Sequence, residues 1–417
     1  MKTELLMPAG SLEKMNWAFR YGADAVYAGV PLLSLRAREN EFNLADLQAG
    51  IEKARTEGKK FYLTANIFAR NLKLKSFRTQ LDAWARLKPD AMIMSDPGLI
   101  SIAKEQHPDI PIHLSVQANC MNWESVRFWQ KIGVSRVILS RELRLNEIKE
   151  IRDRVPDIEL EAFVHGSICI AYSGRCLLSH YMSYRDANQG VCDNSCRYPY
   201  RLFAGDTDLK TEFFLQDLRA PDELYPIEED SHGTYIMNSK DLCLIEHLKE
   251  IKEAGVCSFK VEGRTKSEFY AAWISRLYRK AIDLVEAEKS FEPELLADLE
   301  LISNRGYHKG FMMGNPTHQA QDYIPDRRAL KSKFLGFLDR EAAESNCEGQ
   351  FDVRAKLSLG QKVRLVYPDS EILTRVESIQ TQSGEVKGAV HSGAGRFKVR
   401  FSESKPGQAL VMSINEE

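Results

Sequence analysis

The sequence predicts an α/β chain: a (β/α)8, TIM-like barrel with a long cysteine-bearing insertion after its seventh strand, followed by a small C-terminal all-β barrel. Three observations carry this reading. Over residues 1–290, short β-rich apolar runs alternate with amphipathic helical stretches. Eight such strand–helix units follow one another, and right-handed crossovers close eight parallel strands into a barrel most economically. From residue 334 onward the helical period disappears, and short β-type runs separated by turn residues replace it. The rival is an open doubly wound sheet. The turn after the first strand reads PAGSLEK, without the Gly-rich dinucleotide fingerprint that would favour it.

Taken in order, the first strand is Leu5–Pro8, and its helix starts at Ser11 with Leu12, Met15 and Phe19 at helical spacing. The second strand, Asp24–Gly29, precedes a helix with Leu44, Leu47, Ile51 and Ala54 on one face. Phe61–Asn66 is the third strand, and its helix covers Lys75–Leu87. Ala91–Ser95 is the fourth, with a helix opening at Pro97. Ile112–Gln117 is the fifth, and Asn122 is placed to cap the helix after it. Arg136–Ser140 and its helix Leu145–Val155 precede the seventh strand, Glu159–Val164. A helix over Lys240–Ala254 then leads to the eighth strand, Ser258–Glu262. The closing helix carries Phe269, Trp273, Leu277, Ala281 and Leu284. Residues 291–333 read as a linker or accessory segment and 334–417 as the β-barrel domain.

The chain has 417 residues, 43% hydrophobic and 28% charged, which excludes a disordered or collagen-like protein. Its 57 Lys+Arg against 59 Asp+Glu exclude histone-like global attraction to nucleic acid and leave room for local basic contacts. The apolar stretch before Ser11 is too brief for a signal peptide, and no run of roughly 18–20 apolar residues would span a membrane. The expected location is therefore cytoplasmic. In that reducing compartment, eight cysteines point to metal or redox chemistry before disulfides.

Four of them, Cys169, Cys176, Cys192 and Cys196, lie in the only long barrel connection, Gly166–Ser239, with spacing C-x6-C-x15-C-x3-C. Zinc and a [4Fe–4S] cluster both accept four thiolates. Only the second pair resembles a zinc knuckle, and the wide first spacing sits more easily with a cluster. Cys120, Cys243, Cys257 and Cys347 are scattered and read as packing residues.

In a barrel, chemistry belongs at the C-terminal ends of the strands. The polar residues there are Arg36, Arg38, Asn66, Asp96, Gln117, Asn119, Arg141, Glu142, His165, Glu262 and Arg264. His165 and Glu262 are the candidates for proton transfer. Arg36, Arg141 and Arg264 suit a substrate bearing carboxylates or phosphate, and Arg264 with Lys266 after the turn in KVEGRTKSEFY suits an anion at a helix start. Basic and aromatic residues also cluster in Arg70, Lys73, Lys75, Phe77 and Arg78, in Arg197, Tyr198, Tyr200 and Arg201, and in Arg327, Arg328, Lys331 and Lys333. Such clusters could track a folded RNA.

The stretch EAFVHGSICIAYSGRCLLS resembles the signature of the collagenase-like peptidase family (unassigned peptidase family 32). The resemblance extends through ELLMPAG, GADAVYAG, MSDPG, HLSVQAN, RVILSREL, YIMNSKDL and KVEGRTKS. It implies prephenate-dependent hydroxylation of the tRNA wobble uridine at C5, giving 5-hydroxyuridine. Prephenate would be the co-substrate, the tRNA anticodon stem-loop the macromolecular substrate, and an electron-transfer protein a further partner. It also implies a [4Fe–4S] cluster on Cys169, Cys176, Cys192 and Cys196. Two alternatives remain: a peptidase, after the collagen-degrading activity that names the family, and a non-catalytic tRNA-binding or maturation factor. Against the peptidase, the sequence has neither an HExxH nor a G-x-S-x-G motif, and Ser167 and His165 lie too near one strand end to face each other.

Overall fold

The computed structural model describes residues 2–35, 42–169, 171–176, 179, 185–192, 196, 239–302, 304–314, 333–340 and 347–414, with backbone alone over 213–216, 224–230 and 233–235. The chain divides into two compact units. One comprises Met1–Glu292 with Asn304–Arg327, and the other Pro293–Ser303 with Arg328–Glu417.

The first unit is a parallel barrel. Its strands are β1 (Glu4–Pro8), β2 (Ala25–Gly29), β3 (Lys60–Ala65), β4 (Ala91–Met94), β5 (Ile112–Leu114), β6 (Val134–Ile138), β7 (Glu159–Gly166) and, after the insertion, β12 (Ser258–Val261). Each pairs in parallel with the next in sequence, and β12 closes the ring by pairing with both β7 and β1. The strands are apolar almost without alternation because both faces are covered. The intervening helices are α1 (Leu12–Arg20), α2 (Leu44–Thr56), α3 (Asn71–Arg86), α4 (Pro97–Gln106), α5 (Trp123–Lys131), α6 (Leu145–Arg154), α7 (Leu248–Glu253) and α8 (Glu268–Glu286).

Local chemistry fixes their starts. Ser11, Asn43, Asp96, Asn122 and Ser267 each accept a backbone N–H from the first turn of the helix that follows. On α8, Trp273, Ile274, Leu277, Tyr278 and Ala281 are buried, and each large apolar side chain contributes about 1.5–3 kcal/mol.

Three differences from the sequence reading have physical causes. Strand β6 begins at Val134, not Arg136, because Arg136 is an inward-facing residue whose partners lie on other strands. Residues after Leu114 form a single 3-10 turn, Val116–Ala118, closed by Ser115 Oγ, so β5 is shorter than expected. The expected helix over 240–254 is split. Asp241–Cys243 forms β11, antiparallel to the end of β7 (Leu242 opposite Gly166), and only Leu248–Glu253 is α-helical. Within 291–333, Tyr307–His308 forms β13 alongside β11. The insertion itself contains a three-stranded antiparallel sheet of β8 (Phe213–Gln216), β9 (Leu224–Asp230) and β10 (Gly233–Tyr235).

The second unit contains α9 (Glu294–Leu299) and β14 to β21. The strands are β14 (Phe334–Arg340), β15 (Glu348–Val353), β16 (Leu357–Ser358), β17 (Lys362–Val366), β18 (Glu371–Gln380), β19 (Ala389–Val390), β20 (Arg396–Phe401) and β21 (Gly407–Ser413). Six close an antiparallel barrel in the order β14-β15-β20-β18-β17-β21. Alternating side chains such as Phe351, Val353, Val363, Leu365, Val399, Phe401 and Val411 fill it. The small closed β module read from the sequence is thus present.

Candidate active site at the barrel mouth

The C-terminal strand ends place polar side chains in two chemically distinct sets. One set is fully engaged. Asn66 accepts from Leu35 N (3.0 Å) and donates to Ser115 Oγ (3.2 Å), while its carbonyl takes Ser95 Oγ (3.0 Å). It therefore ties the turns after β2, β4 and β5 to its own. Asp96 caps α4 at Leu99 N and also accepts from Ala69 N, both at 3.0 Å.

The second set is buried without hydrogen-bond partners in the protein: Ser34 Oγ, Thr64 Oγ1, Gln117 Oε1, Asn119 Nδ2, Ser140 Oγ, Arg141 Nε and Glu142 Oε2. Five of these seven atoms come from the ends of the neighbouring strands β5 and β6. Native proteins rarely leave buried polar atoms unpaired, and a group of them at one strand end marks a place for a ligand. Asn119 adopts the left-handed conformation (φ 53°), a strain that Asn tolerates better than most residues.

Arg141 is the centre of this region. Its guanidinium lies 3.9 Å from the Phe163 ring centroid, and Nη2 is 3.6 Å from Glu262 Oε2. The sequence candidates Arg141 and Glu262 are therefore brought together. Arg264 is not part of that pair: it is 6% exposed, its Nη2 donates to Leu35 O, and its Nη1 fills the space beside Gly29. The helix start beyond it is capped by Ser267, which accepts from Tyr270 N, and Lys266 Nζ lies 5.7 Å from the Tyr270 ring. Arg36 lies outside the described residues, as do Arg38, Arg197, Tyr198, Tyr200, Arg201, Arg327, Arg328 and Lys331.

His165 is 2% exposed and sits among rings: Tyr278 at 5.2 Å, Tyr307 at 5.6 Å and Tyr270 at 6.1 Å. Its Nδ1 lies 3.2 Å from Tyr278 Oη, which also donates to Val164 O (2.9 Å). Burial lowers its pKa to about 4, with Asp241 opposing that effect, so the ring is neutral at physiological pH. Nearby, Arg305 donates to Ser167 Oγ (3.2 Å) and pairs with Asp241. Burial alone would raise the Asp241 pKa, but Arg305 outweighs it and the pKa is lowered.

The first cysteine pair lies on an arm that crosses this mouth. Ser173 donates through N (2.8 Å) and Oγ (3.1 Å) to Glu142 Oε1. Gly174 (φ 73°) sits directly on Gln117, where a Cβ would come within 2.0 Å of its carbonyl oxygen. Only glycine fits that approach and that dihedral angle. Arg175 lies 5.9 Å from the Phe68 ring, and Asn188 Nδ2 donates to Cys176 O (3.0 Å) while its own carbonyl accepts from Phe68 N (3.2 Å).

None of the eight cysteines forms a disulfide. Cys169 and Cys192 are exposed, and Cys176 and Cys196 are partly so. In number and kind these four donors fit an iron–sulfur cluster. Among the described residues, however, no group of three or more His, Cys, Asp or Glu side chains is gathered to hold a metal. Cys120 is the contrasting case, with burial pushing its thiol up to about 12.

Sequence reasoning missed Ser34, Thr64, Ser140 and Phe163. Each closes or lines a strand end, yet a small hydroxyl or a ring inside an apolar run carries no signal of its orientation.

Known proteins share this organisation along most of the chain. The profile of peptidase family U32 matches residues 10–322. The chain is 44% identical to tRNA hydroxylation protein P of Haemophilus influenzae over 95% of its length and 92% of that protein. It is 45% identical to tRNA hydroxylation protein P of Escherichia coli, over 92% of this chain and 90% of that one. It is 29% identical to a collagenase of Porphyromonas gingivalis over 96% of each. A profile matched from the first βα turn to beyond the barrel, with relatives aligned nearly end to end, leaves one conclusion: the chain belongs to peptidase family U32.

Proposed function

We propose that this chain hydroxylates tRNA, and specifically that it adds a hydroxyl group at C5 of the wobble uridine, with prephenate as co-substrate, to give 5-hydroxyuridine. The observation that carries this reading is the 44% identity to tRNA hydroxylation protein P across 95% of the chain. Cys169, Cys176, Cys192 and Cys196 would hold a [4Fe–4S] cluster, which supplies one-electron transfer when bound.

The chain's own residues have separable tasks. Arg141, with its guanidinium against Phe163 and a buried Nε lacking a partner in the protein, suits a carboxylate of the co-substrate. Glu262 beside it can accept a proton at Oε2. Gln117 Oε1, Asn119 Nδ2 and Glu142 Oε2 offer both acceptors and a donor to the polar edge of a base that has left its stack. The Ser173–Gly174 segment lies against Glu142 and Gln117 beside these atoms. His165 is neutral and screened from solvent, which suits it to holding the end of β7 through Tyr278.

The peptidase reading has the collagenase relative in its favour. Against it, His165 Nδ1 is engaged with Tyr278 and the Ser167 hydroxyl with Arg305, so no nucleophile–base pair is formed between them. The test is nucleoside mass spectrometry of tRNA from a deletion strain. Complementation with the unsubstituted chain restores 5-hydroxyuridine, and Cys176→Ala at equal expression does not. Restoration by Cys176→Ala overturns the role of the cluster. A chain that binds tRNA but leaves 5-hydroxyuridine unchanged on deletion is a binding factor instead.

A further inference from the structure

Sequence clustering pointed to Arg70, Lys73, Lys75, Phe77 and Arg78 as a basic–aromatic patch. The structure separates that patch into two kinds of residue. Phe77 is fully buried and cannot stack on anything outside the protein. Lys73 Nζ is committed to Leu32 O at 2.7 Å. Arg70, Lys75 and Arg78 remain exposed. Leu72 is 94% exposed, an unusual state for a large apolar side chain beside a barrel mouth.

The missing aromatic ring comes from elsewhere. Tyr172, on the arm between Cys169 and Cys176, is 59% exposed, and Arg175 three residues on is exposed as well. The arm and the β3–α3 connection form a continuous rim. Arg175 lies over Phe68, residues 186–188 bridge Cys176 to Phe68, and Asp186 meets Arg70 at 3.4 Å. That ion pair is exposed on the arginine side, so it contributes little and leaves Arg70 able to exchange partners. Of the other acids near this rim, Asp96 accepts from two backbone N–H groups and Glu142 accepts from Ser173 through Oε1.

We propose that this rim grips unpaired nucleotides of an RNA loop, with Tyr172 as the stacking ring and Arg175 and Arg70 on the flanking phosphates. An exposed ring flanked by cations is the arrangement that holds single-stranded nucleic acid, because every base has a face to stack and every linkage a charge to neutralise. A paired helix hides its base faces and gains only the phosphate contacts. The proposal rests on the tRNA reading above. It adds where the loop is held, beside the polar atoms left unpaired at the ends of β5 and β6.

Full-length protein titrated against a fluorescein-labelled anticodon stem-loop RNA, with a fully paired RNA of equal length as comparison, tests this by anisotropy at several salt concentrations. The stem-loop is expected to bind more tightly than the duplex. Tyr172→Ala weakens stem-loop binding about tenfold and leaves duplex binding unchanged, while Tyr172→Phe stays within about twofold of the unsubstituted chain. Arg175→Gln lowers the slope of log affinity against log salt by about 0.7 to 0.9, the loss of one phosphate contact. Thermal unfolding and iron content are measured on each variant to show that fold and cysteine loop are intact. Stem-loop binding by Tyr172→Ala within about twofold of the unsubstituted chain overturns the rim. If the unsubstituted chain binds neither RNA, the tRNA reading falls and takes the rim with it.

Discussion

The two ends of the parallel barrel treat buried polarity in opposite ways. At the floor, Arg136 donates to Glu4 Oε1 (2.6 Å), Glu161 Oε2 (3.1 Å) and Glu159 Oε2 (2.7 Å), and Lys260 donates to Glu161 Oε1 (2.8 Å). Tyr62 and Ser258 complete the shell of Glu4, at 2.7 and 2.8 Å. Burial raises the Glu4 pKa, but Arg136, Tyr62 and Ser258 outweigh it and hold the carboxyl below its ordinary value. His113 Nδ1 is an exception there, buried beside a cavity of about 450 Å³ without a partner in the protein. At the mouth, by contrast, seven buried atoms on four strand ends lack partners. A satisfied network stabilises and specifies a fold, whereas unsatisfied atoms weaken it until a ligand arrives. The difference separates the end that holds the barrel together from the end that carries the candidate site.

The largest test breaks the floor. Arg136→Met leaves Glu4 buried without its main counter-charge and Glu161 with Lys260 alone, and a loss of about 3–5 kcal/mol is expected in urea unfolding. A change under about 1 kcal/mol would show that the network is dispensable.

Acid sharpens the comparison next. His165 has a folded-state pKa of about 4 against an ordinary value of 6.5, so the unfolded chain binds the extra proton between those values. Its contribution is full above about pH 6.5 and is lost as pH falls toward 4, at about 1.4 kcal/mol per pH unit. His113, lowered by burial and by Arg136, acts in the same direction. Urea midpoints measured from pH 7 to pH 4.5 should fall, and fall less steeply in His165→Gln. Equal slopes would mean that His165 is accessible to protons in the folded chain.

The smallest expected effect lies at the mouth. Ser140→Ala removes a buried hydroxyl that has no partner in the protein, so stability should be unchanged or raised by up to about 1 kcal/mol. The same change should lower 5-hydroxyuridine in complemented cells. A loss of stability with full modification would make Ser140 a structural residue.

Much of this molecule could be read without coordinates because its signals are local. Apolar runs, helical periodicity, the helix start at Ser11 and the cap at Asn122 are written within a few residues of where they act. The four cysteines were legible for the same reason, being confined to one connection. The errors arose where partners are remote. Arg136 looked like a strand edge because Glu4 lies 132 residues away, and 240–254 looked helical because β11 exists only through pairing with β7 and β13. Arg264 and Arg141 are indistinguishable as strand-end arginines, yet one is bound into the β2 turn and the other stands over Phe163 beside Glu262.

Sequence by itself therefore determined the number and order of the βα units, the separate β-barrel and the cysteine connection, since each depends on short-range pattern. Tertiary structure decided which polar side chains are spent on the fold and which are left unpaired within the protein. Hydrogen-bond satisfaction is a property of partners brought together by closure of the barrel, and no stretch of sequence contains both of them.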